Sequence, residues 1–139
     1  MTKAVYNDMG FEFKTDDFTA LRQNAVDELK KCGFGLVSEI NLPEKFKAKL
    51  NKDFRPYIIL GACSPAIAFK AVNKEPDLGL LLPCNVCVGE TTTKGTFFCK
   101  VINPLVMFSL INNKDLEGMA DEIVAKLNKF LDAMKKIYS

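Results

Sequence analysis

From Leu116 to Ile137 the apolar residues Leu116, Ala120, Ile123, Leu127, Phe130, Met134 and Ile137 recur in a strict alternation of four- and three-residue steps. That spacing puts all of them on one stripe of a helix, predicted over about Lys114 to Ile137. Such a stripe can pack against a sheet or pair with another helix. Packing within one subunit is the expectation, because the preceding residues contain the strands a sheet needs. Met9 to Lys14 and Phe34 to Ile40 read as strands. Between them Phe18, Leu21, Ala25, Leu29 and Cys32 recur at helical spacing, with Thr15 as N-cap, Asp16 and Asp17 in the first turn and Gly33 as the stop.

The run Arg55 to Ala62 is apolar at successive positions, which predicts an interior strand covered on both faces. A short amphipathic helix over Pro43 to Leu50 precedes it. Ser64-Pro65 then starts a helix to about Val72, with serine as N-cap and proline at the first helical position. Leu80 to Glu90 and Thr96 to Ile102 flank the turn Thr91-Thr92-Thr93-Lys94-Gly95, a β-hairpin signal. Pro83 inside the first arm predicts a bulge or a sheet edge. The expected fold is α+β: a mostly antiparallel sheet of about five strands, helices packed on one side and a long C-terminal helix, in one domain over residues 1–139.

Composition mainly excludes. Hydrophobic residues make up 48% of 139 residues, and a chain of that size buries about two thirds of its unfolded surface without help from disulfides or metal. Nineteen basic against seventeen acidic residues give a net charge of +2, too balanced for a nucleic-acid or membrane-surface partner. There is no histidine, which removes the Ser-His-Asp triad, the Cys-His dyad and every histidine metal site. No metal and no cofactor is expected. Five cysteines, at Cys32, Cys63, Cys84, Cys87 and Cys99, do not suggest a disulfide framework. The opening Met1-Thr2-Lys3-Ala4-Val5-Tyr6 lacks an apolar signal core, so a reducing cytoplasm is the expected setting.

The segment Tyr57-Ile58-Ile59-Leu60-Gly61-Ala62-Cys63-Ser64-Pro65-Ala66-Ile67-Ala68, followed by Gly79-Leu80-Leu81-Leu82-Pro83-Cys84-Asn85-Val86-Cys87-Val88, resembles the DUF302 family of small bacterial and archaeal proteins. The hallmark is a strand ending in a cysteine-x-proline turn, then a Leu-Pro-Cys-Asn strand. The resemblance implies a compact α+β domain that associates as a homodimer, and it supplies no activity. Family members usually carry an aspartate where this chain has Asn103, before Pro104. Cys87 falls where the family more often has an aliphatic residue and is given little weight.

Cys63 is the leading candidate for chemistry. It immediately precedes the predicted helix start, where free backbone N–H groups and the helix dipole favour a thiolate or a small anion. The alternative is a small buried hydrophobe at a strand end. Cys84-Asn85-Val86-Cys87 has the C-x-x-C spacing, but residues three apart on a strand point to opposite faces. Cys63 and Cys84 could instead share one cavity. Glu90 is expected to pair across the hairpin with Lys100, or to assist catalysis if buried. Tyr57 could bring its hydroxyl to a pocket rim, and Phe97, Phe98, Phe108 and Phe130 either line an apolar pocket or fill the core.

Two functions follow as expectations. The first is a ligand-binding or accessory domain that takes a small molecule at Cys63, Ser64, Cys84 and Tyr57. The second is a thiol-dependent redox or sulfur-handling protein with Cys63 as nucleophile, Cys84 resolving and Glu90 assisting. Without histidine, its thiolate would need the helix start or a lysine such as Lys70.

Overall fold

The computed structural model describes residues 5–139, so the reading of Met1 to Ala4 lies outside the described residues. Strands β1 (Met9–Lys14), β2 (Gly35–Asn41), β3 (Tyr57–Cys63), β4 (Cys84–Glu90) and β5 (Thr96–Val101) form one sheet in the order β1-β5-β4-β3-β2. Every neighbouring pair is antiparallel. The helices are α1 (Phe18–Lys31), α2 (Leu42–Leu50), α3 (Pro65–Lys74), α4 (Pro104–Ser109) and α5 (Met119–Tyr138), with 3₁₀ turns at Pro76–Leu81 and Lys114–Leu116. This is the α+β architecture expected, five strands and a long C-terminal helix included.

Alternation along each strand sorts side chains onto two faces. One face carries Phe13, Ile58, Leu60, Ala62, Cys84, Val86, Val88, Phe97, Cys99 and Val101, all buried. They form one core with Leu21, Ala25, Val26 and Leu29 of α1 and Ile123, Leu127, Phe130, Leu131 and Met134 of α5. The α5 stripe therefore packs within the subunit. Only its last member escapes: Ile137 is 45% exposed whereas Leu127 and Phe130 are 0%.

The opposite face is different in kind. It carries Gly10 and Glu12 of β1, Phe98 and Lys100 of β5, Asn85, Cys87 and Gly89 of β4, and Tyr57, Ile59 and Gly61 of β3. Tyr57 and Ile59 are half-buried, so β3 is interior to the sheet but fully covered on one face only. This corrects the expectation of cover on both faces, since an apolar run reports burial without saying by which layer.

Local boundaries move where backbone chemistry requires it. The N-cap of α1 is Asp17, which accepts from Ala20 N at 3.0 Å, and Thr15 Oγ1 instead accepts from Asp17 N. Asp16 and Asp17 thus precede the first turn rather than sit in it. The strand expected from Leu80 begins only at Cys84, because Pro83 has no N–H to give the ladder; the Leu82–Pro83 peptide is cis. Gly118, at φ +87°, takes the left-handed conformation that splits the expected final helix into a 3₁₀ turn and α5. Gly33, at the same φ, ends α1 as anticipated.

Because the α5 stripe is core, Leu127→Ala should cost about 2–5 kcal/mol of unfolding free energy in urea titrations, and Ile137→Ala less than about 1 kcal/mol. Equal costs at the two positions would contradict the packing described.

Candidate functional site

Cys63 and Cys84 are brought to one place by the β3–β4 pairing, in which Ala62 lies opposite Cys84. Together with Ser64 they line a cavity whose other walls include Phe34, Ala62, Ile67, Leu78, Leu82 and Phe108. Its volume is only about 20 Å³, room for one water at most, and its apolar walls offer that water few partners. Ser64 stands at the N-cap of α3, as its sequence suggested, but its side chain makes no capping hydrogen bond. Burial, and then the neighbouring Cys63, push the Cys84 thiol up to about 11. Cys84 is 5% exposed.

Glu90 does not pair with Lys100. The register sets Glu90 opposite Phe97 and Lys100 opposite Cys87. The Glu90 carboxylate accepts from Gly95 N at 2.8 Å, closing the hairpin turn, while its carbonyl accepts from Arg55 Nε at 2.9 Å. Glu90 thus serves as an acceptor at the end of β4 and also lines the large groove of the open face. Lys70, the lysine considered for thiol activation, lies exposed on α3. Of the four phenylalanines, Phe97 and Phe130 are core, Phe108 borders the small cavity, and only Phe98 reaches the large groove.

That groove lies on the open face of the sheet and has a volume of about 710 Å³, within the ~300–1,000 Å³ typical of small-molecule sites. Its floor is set by β4 and β5, with Asn85, Cys87, Phe98 and Lys100 facing it. A Cβ on Gly89 would stand 2.7 Å from Pro56 O and 3.1 Å from Phe98 Cε1, and one on Gly10 would stand 2.5 Å from Lys100 Cγ. On Gly61 it would overlap Ser38 Oγ and come within 2.7 Å of Pro83 Cγ. In each case a neighbour's atoms occupy the space a side chain would fill, and of these neighbours Pro83, Phe98 and Lys100 line the groove.

At the hairpin end Tyr57 packs edge-on against Phe98, centroids 5.3 Å apart and planes at 65°. Burial first, then Cys87, push the Tyr57 hydroxyl up. Burial also pushes the Cys87 thiol up, with Tyr57 opposing. Toward α4 the walls turn apolar, with Leu81, Pro83, Val106, Met107 and Leu110. Cys87 is thus the one cysteine in the groove. Alternation from Cys84 already assigned it to the other face; what the sequence withheld was that this other face is open. Among the described residues no cluster of side chains could hold a metal ion, and no helix is long and apolar enough to cross a membrane.

Comparison with known proteins matches residues 11–134 to the sequence profile of the domain of unknown function DUF302. A crystal structure described as an uncharacterized conserved DUF302 protein from Bacillus stearothermophilus superposes with a TM-score of 0.81 at 26% identity, covering 94% of this chain and 98% of that one. No protein of curated function matches.

The raised thiols carry a measurable consequence. Unfolded cysteines ionise near about 8.5, so above that pH the folded chain holds protons the unfolded chain has released. Stability should fall as pH rises, and the share due to Cys84 should be lost progressively up to about pH 11. That share is on the order of 3 kcal/mol. Chemical denaturation across this range should show a shallower decline for Cys84→Ala; an unchanged slope would contradict the burial of this thiol.

Proposed function

The chain belongs to the DUF302 family, and we propose that it is a small-molecule-binding domain whose site is the open-face groove. The observation that carries this reading is the concave groove of about 710 Å³ whose lining includes Tyr57, Cys87, Phe98 and Lys100. It combines a largely apolar wall with a few convergent polar groups, the usual make-up of a ligand site. Of the residues named from sequence, Tyr57, Cys87, Glu90, Phe98 and Lys100 line this groove. Cys63, Ser64 and Cys84 border a cavity of about 20 Å³ that admits no metabolite.

The thiol-dependent reading has less behind it. A resolving thiol held near 11, as Cys84 is, has roughly one molecule in ten thousand ionised at pH 7. The homodimer implied by the family resemblance stays a proposal, and it cannot use the α5 stripe, whose Leu127 is 0% exposed. A reducing compartment, in which five thiols persist, is the proposed setting.

Binding raises the melting temperature by mass action, so a metabolite screen should yield compounds that shift it by several degrees. Asn85→Trp, which fills the groove from an exposed floor position, should abolish the shift, and Cys63→Ser should leave it. A hit that survives Asn85→Trp but is lost with Cys63→Ser would move the site to the start of α3 and refute this assignment.

A further inference from the structure

Lys100, a half-buried residue on the interior strand β5, lines the groove, and a charge so placed gains from a partner. Among the described residues it has none: the ion pairs are Arg22–Glu39, Lys31–Glu28 and Lys47–Asp53. Directly across from it are Cys87 on β4 and Gly10 on β1, and neither carries charge at neutral pH. The missing Cβ of Gly10 lets the lysine stem lie flat against β1, 2.5 Å from where that atom would be. The second cation of the groove, Arg55, spends Nε on the Glu90 carbonyl and stacks over Phe54 at 4.4 Å, and it too is in no ion pair among the described residues.

Two carboxylates also line the groove, Glu90, which accepts from Gly95 N, and Glu12, exposed on the edge strand β1; neither forms an ion pair with Lys100 or Arg55. The charged floor is continuous with the apolar wall of Leu81, Pro83, Val106, Met107 and Leu110.

Resting on the groove as the binding site, we infer that its ligand is an amphipathic acid: a carboxylate or similar anionic head held by Lys100, with an apolar body running along β4 toward α4. The ammonium gains the ion pair it otherwise lacks among the described residues, and the tail covers the apolar wall. Both gains require one molecule carrying both parts.

The test compares decanoate, decanol and decyltrimethylammonium, each below its micellar concentration, by titration calorimetry on the full chain. Decanoate should bind at least about tenfold tighter than either of the others, a difference of about 1.4 kcal/mol. Lys100→Gln should weaken decanoate by about tenfold and leave decanol unchanged, while Lys100→Arg, which keeps the charge and guards against a folding defect, should retain decanoate binding. If decanol or the ammonium binds as well as decanoate and Asn85→Trp abolishes it, the groove stands and the anionic head is overturned. If decanoate binds equally to Lys100→Gln, or does not bind at all, the inference also fails. The groove reading fails with it only if the wider screen gives no hit sensitive to Asn85→Trp.

Discussion

The contact of α5 with the sheet sets the rest of the structure. Leu127, Phe130 and Met134 are each 0% exposed, packed among Leu60, Val86, Val88 and Cys99 of the central strands. Burying aliphatic and aromatic side chains of this size contributes roughly 1.5–3 kcal/mol apiece. Because side chains alternate along a strand, committing one face of β3, β4 and β5 to that core also decides which residues are left on the other. A slip of one residue would bring Asn85 and Lys100 into the core and carry Val86 and Val88 to the open face. From the other side of the sheet, the helix therefore fixes which sheet residues face the groove.

On the face left open, the sheet would be flat if its positions were filled. Gly10, Gly61 and Gly89 sit on three different strands of it, and each gives its space to a neighbour: Lys100, Ser38 with Pro83, and Phe98. Glycine in a strand costs backbone entropy and packing, and it commonly marks close approach of another group. Of those groups Pro83, Phe98 and Lys100 line the groove. Lys100, a half-buried residue, is left without an ion-pair partner among the described residues.

Much of this was legible in the residues. The period of Leu116 to Met134 gave the helix and its buried stripe, the Thr91–Gly95 turn gave the hairpin, and Ser64-Pro65 gave the start of α3, because each rests on local backbone or periodicity rules. The site was less so. Cys63 and Cys84 drew attention through their chemistry and their place in a family motif, and the fold does bring them together, but around about 20 Å³ of apolar space. Cys87, Phe98 and Lys100 each draw a separate reading from sequence, but no local signal joins them. They meet only through cross-strand register, which joins residues distant in sequence, and through glycines whose role appears once their neighbours are known. Glu90 failed as a partner for Lys100 for the same reason: hairpin register, not proximity in sequence, chooses the pair.

One face of the sheet is sealed as core, and the other is the face proposed to bind. Amide and methyl NMR of the labelled chain during titration with decanoate tests it most directly, residue by residue. The account predicts saturable shifts centred on Tyr57, Cys87, Phe98, Lys100 and Val106, with Cys63, Ser64 and Ala68 unmoved. Shifts centred on Cys63 and Ser64, with the open face unmoved, would contradict it.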